Sequence, residues 1–503
     1  MENMNTEEKD PLIGSLFEDQ NSHVHEITKR LSAGGQGVVY RTKDPNVLIK
    51  LKINVDPSTN EEIIVEGKKE YDTYVKSILS AKIIDVPKSV NITKPVAFLK
   101  SPQCGYVMRM LDNMVPIQKL MFTTNISEPL EHYKQTGGLK RRIEILAKFA
   151  KMFSLLHSRS LVYADISEGN LFISESADAT ATWLIDADNL EYRVHFTTCT
   201  GTPGYQAPEV ANGIKNSTYS DVYSFAIVAY KVLTYKPSPF LGALQDTKNT
   251  ETPDDGWEDD GWDDTEETTD PTILAEQGKL PWVDDPLDDS NRLKTGFPIN
   301  IVSSPLMFDL FNRTFSKEGR ENPASRPTME EWYNVLNNAT KALTTCNCGH
   351  TYFFKEKSCP FCNGTSSPKY ICKVKNIFNL QKMLSDDEEV GEFVAKLTPE
   401  QSVSEVVMGF KVFDMKPNKQ FITKEELFET FLTEENENLI EVEINQSIIL
   451  RNISMSAFLI DANAKRQIIQ PYTSLEIPLV DYFKIISYLS EIKSRKLEFK
   501  RRV

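Results

Sequence analysis

An aspartate and an asparagine five residues apart, Asp165 and Asn170, lie in a polar stretch that follows an amphipathic segment. Residues 139–157 place apolar side chains at helical spacing, which predicts a helix that buries one face and leads directly to residues 163–170. A carboxylate there can orient and deprotonate a hydroxyl group, while a nearby amide oxygen binds Mg²⁺. The same spacing also occurs by chance in surface turns, so its meaning depends on the motifs around it.

A glycine-rich turn lies in the β-prone region that begins the ordered part of the sequence. Residues 25–51 alternate well enough to predict three short strands, and the first turn contains Gly34, Gly35 and Gly37, followed by Val39. Glycines allow backbone N–H groups to approach phosphate oxygens, but an ordinary hairpin turn has the same composition. The turn alone therefore leaves both interpretations open.

Lys50 ends an apolar strand, and a buried ammonium group needs an acidic partner. A helix predicted at residues 61–79 offers three acidic side chains: Glu62, Glu66 and Glu70. Glu70 is the predicted partner of Lys50, because Tyr74 and Ile78 continue its face of the helix. The alternative is that the glutamates are solvated surface charges.

Two further motifs follow the 163–170 stretch. Short apolar segments at 170–173 and 183–186 predict a pair of strands, and the second ends at Asp186, where a second metal ligand would be required. Residues 201–209 read GTPGYQAPE, the most specific string in the chain. An unrelated surface loop is not expected to reproduce G-T-x-x-Y-x-A-P-E.

With these motifs in this order, residues 25–343 resemble a eukaryotic-like Ser/Thr protein kinase domain. The resemblance implies an α+β, bilobal fold with lobes at 25–110 and 111–343, and the use of ATP with Mg²⁺ or Mn²⁺. It implies five catalytic residues: Asp165, Lys50, Glu70, Asn170 and Asp186. It implies that the nucleotide contacts Gly34, Gly35, Gly37, Val39, Lys50, Met108, Met110, Asn170 and Asp186, and that Asn170 and Asp186 hold Mg²⁺. It also implies that Asp221 anchors the catalytic loop and that Glu209 pairs with Arg326.

Four residues depart from the kinase pattern: Ser32, Ala164, Ser167 and Asp188. Ala164 stands where many kinases carry an arginine that reads activation-loop phosphorylation, so activity is not expected to depend on that switch. No chemical group of the catalytic set is missing. The resemblance therefore implies an active protein Ser/Thr kinase that phosphorylates protein hydroxyls and itself. The alternative is a pseudokinase scaffold that binds nucleotide and recruits partners, whereas a small-molecule phosphotransferase would not be expected to keep the 201–209 string.

The formal charge of −15 comes from one segment. Residues 246–290 contain 17 acidic residues and 2 lysines, and this segment interrupts the kinase pattern. Like charges at this density predict a disordered insertion, while its two Gly-Trp pairs suggest anchors for a basic protein partner. One candidate within the chain is the basic C-terminal tail, whose cations are Lys493, Arg495, Lys496, Lys500, Arg501 and Arg502.

Four of the seven cysteines fall at residues 346–362: Cys346, Cys348, Cys359 and Cys362. Two cysteine pairs at this spacing predict a structural Zn²⁺ on four thiolates, with free or redox-active thiols as the alternative and His350 as a possible replacement ligand. Residues 344–366 resemble the zinc-ribbon modules that follow the kinase domain in some bacterial stress-associated kinases encoded beside von Willebrand-type and phosphatase partners.

The remaining segments carry less specific signals. Residues 1–24 predict a disordered leader, and residues 367–503 predict an α+β or β-rich interaction domain. The sequence has no run of about 18 apolar residues and no secretory signal, which predicts a cytoplasmic protein with neither a membrane nor a nucleic-acid partner.

Overall fold

The computed structural model of the chain describes residues 10–502 except 35–36, 57–58, 60, 194–198, 245–269, 365–368, 386–391, 393–394, 416–418, 431 and 433. Its helices are α1 Lys68–Ile83, α2 Pro129–Gln135, α3 Gly138–His157, α4 Pro208–Ala211, α5 Thr218–Thr234, α6 Pro271–Glu276, α7 Ile299–Val302, α8 Pro305–Phe315, α9 Lys317–Glu321, α10 Met329–Lys341, α11 Leu380–Leu384 and α12 Lys424–Leu427, with short 3-10 turns at Ile117–Leu120, Ala187–Asn189 and Pro323–Ser325. The strands of its first half are β1 Leu16–Glu18, β2 Val24–Gly34, β3 Gly37–Thr42, β4 Val47–Leu51, β5 Ile53–Val55, β6 Glu62–Ile64, β7 Ala97–Phe98, β8 Gly105–Arg109, β9 Met114–Pro116, β10 Leu161–Val162, β11 Leu171–Ser174, β12 Thr182–Leu184 and β13 Glu191–Tyr192. The later strands are β14 Leu343–Thr345, β15 Thr351–Phe353, β16 Lys369–Asn379, β17 Val403–Asp414, β18 Gln420–Thr423, β19 Asn438–Ile444, β20 Ser447–Asn452, β21 Phe458–Ala462, β22 Lys465–Ile469, β23 Ser474–Pro478, β24 Tyr482–Tyr488 and β25 Lys493–Arg502.

The described residues form two compact units. The first contains Met1–Ile126, Lys148–Gly296 and Asp309–Glu330, and the second contains Ser127–Ala147, Phe297–Phe308 and Glu331–Val503. None of the helices that the structure describes combines the length and the apolar composition needed to cross a bilayer.

A six-stranded sheet in the first unit has the order β1-β2-β3-β4-β8-β7. The three strands predicted at residues 25–51 are its β2, β3 and β4. Apolar side chains on one face, including Ile27, Ile49 and Val107, are buried together, as alternation along half-buried strands requires. The antiparallel register places Lys50 opposite Val39 on one side and Tyr106 on the other. This register sets the surroundings of the Lys50 side chain.

The predicted disordered leader is wrong for residues 10–24, which the structure describes. Strand β1 pairs with β2, and Phe17 packs against the core of the sheet together with Leu12 and Ile13. Tyr40 donates a hydrogen bond from its hydroxyl to Asp10 Oδ2 at 3.0 Å. A few apolar residues spaced to cover the sheet therefore order a segment that looks polar overall. Residues 1–9 lie outside the described part.

Helix α1 begins later than the sequence predicts. Residues 62–64 form β6 and pair with β5, so the helix predicted at 61–79 starts only after Gly67, whose φ is +133°. Residues with side chains rarely adopt a φ of this sign, so glycine is needed at this turn. The buried positions of α1 are Tyr74, Ile78 and Ala81.

The second part of the acidic segment is folded, which corrects the predicted disorder for residues 270–290. Helix α6 lies there, and Trp282 is fully buried with its ring centroid 6.3 Å from that of Tyr230 on α5. Asp284 forms an ion pair with Lys236 at 2.8 Å, so one of the counted charges is neutralised within the fold. Composition missed this because charged and buried residues alternate within the same short segment. Both predicted Gly-Trp anchors lie at residues outside the described part.

Two antiparallel sheets dominate the C-terminal part of the second unit, as the β-rich prediction for residues 367–503 expected. Their strand orders are β17-β16-β25-β24-β21-β22 and β18-β19-β20-β23, and apolar residues of both sheets bury one common core. The basic tail proves to be β25, an internal strand between β16 and β24. Its Lys493 pairs with Glu429 and its Lys496 with Glu405. These two cations therefore have acidic partners within the second unit.

Candidate active site

The loop that contains Asp165 is held by the start of α5. The carboxylate of Asp221 accepts hydrogen bonds from the backbone N–H groups of Tyr163 and Ala164, both at 2.9 Å. Its Oδ2 also lies 3.0 Å from Nε2 of His157, at the end of α3. Ala164 has φ of +68°, an uncommon conformation for a residue with a side chain, and two buried charge-assisted hydrogen bonds stabilise it. Asp221 therefore has the anchoring contacts that the resemblance predicts.

Asp165 lies at the centre of a small polar network. Thr202 Oγ1 donates to Asp165 Oδ1 at 2.7 Å, and Asn170 Nδ2 donates to Asp165 Oδ2 at 2.9 Å. Burial raises the pKa of Asp165, the hydroxyl of Thr202 lowers it and the charge of Asp186 raises it again, with a net increase. A carboxylate oriented in this way, with an increased basicity, can accept a hydroxyl proton.

The predicted strand pair brings Asn170 and Asp186 to adjacent chain ends. Strands β11 and β12 pair with Leu171 opposite Leu184, and Ile185 donates its N–H to the carbonyl of Asn170 at 3.0 Å. Because Asn170 Nδ2 already donates to Asp165, its Oδ1 is the atom that can bind a cation. Asp186 is partly exposed, with φ of +59°. Both residues thus present oxygen ligands of the kind that Mg²⁺ prefers.

Lys50 is buried, but its acidic partners are not the predicted one. Its Nζ lies 2.6 Å from Asp186 Oδ1 and 2.8 Å from Asp188 Oδ2. Glu70 is in the first turn of α1 and is exposed, so the predicted Lys50–Glu70 pair is wrong for this structure. The physical reason is position along the helix: Glu70 shares the face of the buried Tyr74 and Ile78, but it lies in the first turn of α1, where that face is exposed. Sequence reasoning noted Asp188 only as an added carboxylate.

The residues predicted to contact the nucleotide lie on β3, β4 and β8 or close to them. A Cβ on Gly37 would come within 2.7 Å of the carbonyl of Leu51 and 3.1 Å of Lys50 Cε, so only glycine fits there. Val39 and Lys50 are paired in adjacent strands, and Met108 packs against the cluster that contains Tyr74. Met110 follows β8 and donates its N–H to the carbonyl of Asn46 at 2.8 Å, while Gly34 ends β2. Gly35 lies outside the described residues.

The string GTPGYQAPE at 201–209 ends in a buried ion pair. Arg326 Nη1 and Nη2 lie 2.7 and 2.8 Å from the two carboxylate oxygens of Glu209. The same guanidinium donates to the carbonyls of Gly319 and Tyr219, at 2.7 and 3.0 Å. The Glu209–Arg326 pair that the resemblance implies is thus present, with two parallel hydrogen bonds.

A second charged cluster beside the catalytic loop was not found from the sequence. Glu168 accepts hydrogen bonds from Lys231 Nζ at 2.7 Å, from Gln118 Nε2 at 2.8 Å and from the hydroxyl of Tyr205. Burial raises the pKa of Glu168, but these three donors outweigh it and the net pKa is lowered. Lys231 is a single basic residue near the end of the largely apolar helix α5, and its charge gave no signal in the sequence. The cluster ties the catalytic loop to the 201–209 string through Tyr205.

The four predicted zinc ligands meet in one place in the second unit. The sulfur atoms of Cys346, Cys348, Cys359 and Cys362 all lie within 4.8 Å of one another. Cys346 and Cys362 sulfurs are 3.5 Å apart, and Cys348 and Cys359 sulfurs are 3.8 Å apart. Four sulfurs around a tetrahedral Zn²⁺, with Zn–S bonds of about 2.3 Å, would be about 3.8 Å apart, so these residues fit the ion.

The thiols of this cluster differ in their ease of ionisation. Burial raises the pKa of Cys346, but the N–H of Cys348 and the neighbouring thiols outweigh it and lower the pKa to about 7. Burial raises the pKa of Cys359 to about 12. A cation would therefore be needed to keep all four as thiolates. His350 stacks on Phe361 with ring centroids 4.5 Å apart, and the cluster of ligand atoms found in the described part of the chain is formed by the cysteines alone.

Comparisons with known proteins agree with this geometry. The family model for the protein kinase domain matches residues 64–334. A protein of Acanthamoeba polyphaga mimivirus, whose name describes it as a serine/threonine-protein kinase/receptor, is 30% identical over 220 residues, which cover 43% of this chain and 12% of the relative. Serine/threonine-protein kinase pkn2 of Myxococcus xanthus is 32% identical over 112 residues, covering 21% of this chain and 13% of the relative. MDIS1-interacting receptor like kinase 2 of Arabidopsis thaliana is 24% identical over 208 residues, covering 40% of this chain and 19% of the relative.

The matched region spans less than a fifth of the length of each of these three relatives. The family model, in contrast, covers more than half of the present chain. A protein kinase domain implies ATP and Mg²⁺, and the oxygen ligands at Asn170 and Asp186 fit that requirement. The chain therefore belongs to the protein kinase domain family.

Proposed function

We propose that the chain is an ATP- and Mg²⁺-dependent protein Ser/Thr kinase that phosphorylates protein hydroxyls and also itself. The observation that carries the proposal is the network at Asp165, whose two carboxylate oxygens accept hydrogen bonds from Thr202 and Asn170. These contacts orient the carboxylate, and its raised pKa suits the acceptance of a proton from a Ser or Thr hydroxyl.

The other residues have roles that follow from their chemistry. Lys50 is the cation that would hold the α and β phosphates, and Asn170 and Asp186 would hold Mg²⁺. Thr202 and Tyr205 belong to the string that would support the peptide beside Asp165. Bound Mg²⁺ would neutralise the phosphate charge that develops during transfer. Glu70 has no place in this assignment, because it is exposed on α1.

Several finer expectations accompany the proposal. The four clustered cysteines would bind a structural Zn²⁺ with no open coordination position, and so without a catalytic role. The acidic residues 246–269 would recruit a basic protein partner. A cytoplasmic location, and partnership with von Willebrand-type and phosphatase proteins, remain predictions from the sequence and its resemblance.

The test is transfer of labelled phosphate from ATP, with Mg²⁺ or Mn²⁺, to the protein itself and to a generic basic protein. We expect incorporation on Ser or Thr by wild type, and its loss in both Asp165→Asn and Asp186→Asn. Phosphotyrosine as the product would contradict the Ser/Thr assignment. No incorporation, together with stabilisation of wild type against heat by nucleotide, would instead support a pseudokinase scaffold.

A further inference from the structure

Lys50 is held by two carboxylates that differ in their access to solvent. Asp186 has a side chain that is 25% exposed, whereas the side chain of Asp188 is 7% exposed. The two contacts to Nζ are of similar length, 2.6 and 2.8 Å. Burial, rather than distance, therefore distinguishes the two acids.

Asp188 is fixed at both of its oxygens. Oδ2 contacts Lys50, and Oδ1 accepts a hydrogen bond from the hydroxyl of Tyr106 at 2.8 Å. Tyr106 is 2% exposed and lies in β8, directly opposite Lys50 in the register of β4 and β8. The sheet thus supplies both the cation and the hydroxyl group that orient Asp188. Asp186, which is more exposed, remains able to turn toward a cation.

Helix α1 supplies an apolar and aromatic surface here. Its buried Tyr74 packs in one cluster with Tyr106 and Ile78, next to the Lys50 site. Glu70 lies on the same face of this helix but in its first turn, where it is exposed. A carboxylate from α1 therefore does not reach Lys50 in the structure, and Asp188 lies where such a partner is needed.

We propose that Asp188, oriented by Tyr106, is the permanent acidic partner of Lys50, and that it frees Asp186 to bind Mg²⁺. Asp188 is a positioning residue, since it acts through Lys50 and Asp186. If Asp188 lost its charge, Asp186 would be the remaining acid beside Lys50 and would be drawn away from the metal. The role of a helix glutamate is then carried out by the turn at Ala187–Asn189. The inference rests on the proposed function for the roles of Lys50 and Asp186.

Calorimetric titration with ADP, with and without Mg²⁺, tests this coupling without turnover. In wild type, Mg²⁺ should tighten ADP binding through Asp186. In Asp188→Asn, we expect that gain in ADP affinity to shrink roughly tenfold or more, because a charged hydrogen bond to Lys50 is lost and Asp186 is drawn toward the lysine. Glu70→Gln and the matched control Asp72→Asn, both exposed in α1, should keep the gain within about twofold of wild type.

A second variant tests the same contact if Asp188→Asn does not fold. Tyr106→Phe keeps the Lys50–Asp188 pair but removes the hydroxyl that orients Asp188, so it should lower the Mg²⁺ gain by a smaller factor. If Asp188→Asn, or Tyr106→Phe where Asp188→Asn does not fold, keeps the full Mg²⁺ gain, the inference is overturned, whatever the result for Glu70→Gln. The ADP titration does not depend on phosphate transfer. If wild type binds ADP more tightly with Mg²⁺ but transfers no phosphate, the proposed kinase activity is refuted, and the titration of the variants still decides the role of Asp188.

Discussion

Loss of the Glu209 carboxylate should sharply destabilise the first unit. Arg326 is fully buried at its side chain and makes two short hydrogen bonds to Glu209. Glu209→Gln would leave the guanidinium with its backbone acceptors but without a counter-charge. Removing one partner from a buried pair typically costs about 3–5 kcal/mol. For the roughly 300 residues of this unit, with an unfolding entropy of about 2.1 cal/mol/K per residue, that corresponds to a fall of roughly 5–8 °C in the unfolding temperature.

Differential scanning calorimetry measures this change, with urea unfolding as an independent check. The matched control is Glu321→Gln, because Glu321 forms an exposed pair with Lys317 at 3.9 Å. Such surface pairs contribute at most about 1 kcal/mol, so the control should unfold close to wild type. A double variant, Glu209→Gln with Arg326→Met, should be less destabilised than the sum of the two single variants. Equal unfolding temperatures for Glu209→Gln and Glu321→Gln would show that the buried Glu209–Arg326 pair contributes no more to stability than the exposed pair, contrary to this prediction.

Three further predictions concern other contacts. Burial raises the pKa of Glu426, but Lys411 at 3.0 Å and other partners outweigh burial and hold the pKa below its ordinary value of 4.5. The ionised carboxylate therefore stabilises the fold above about pH 4.5, and this contribution is lost as the pH falls through the lower pKa of the folded state. In Glu426→Gln, unfolding free energies measured by urea titration from pH 7 to pH 3 should therefore fall less steeply at the acid end; an unchanged slope contradicts this. Cys359→Ser should abolish bound zinc in metal analysis while the exposed Cys199→Ser retains about one ion per chain, and equal zinc in both would exclude the site. Asp221→Asn should lower phosphate transfer by roughly tenfold or more, since it weakens the two N–H contacts that shape the loop at Asp165, and an unaltered rate would contradict the anchoring role.

Sequence reasoning succeeded where the chemistry depends on residues close together in the chain. The helix before Asp165 and the strand pair that ends at Asp186 were both visible as apolar periodicity. The clustering of Cys346 with Cys362 was predicted from the spacing of the two cysteine pairs, since local turns bring such closely spaced cysteines together. In these cases, local spacing alone determines which side chains meet.

Sequence reasoning failed where the partner depended on the exact start of a helix or on tertiary packing. The predicted face of α1, with Tyr74 and Ile78, is the buried one, but Glu70 lies in the exposed first turn because the helix begins only after Gly67. The acidic composition of residues 246–290 predicted disorder, but Trp282 in this segment is buried despite its acidic neighbours. The tail cations looked available, but Lys493 belongs to a central strand and already has an acidic partner. In each case the outcome depended on where an element begins or on what packs around the residue, which the local sequence does not show.

The central claim is that Asp165 acts in the transfer step and not in nucleotide binding. Single-turnover phosphate transfer and calorimetric ADP binding in the presence of Mg²⁺, measured on wild type and on Asp165→Asn, test it directly. We expect the transfer rate of Asp165→Asn to fall at least about a hundredfold, as for loss of a general base, while the ADP dissociation constant changes by less than about twofold. A variant that transfers phosphate at the wild-type rate, or that loses rate only through weaker ADP binding, would contradict it.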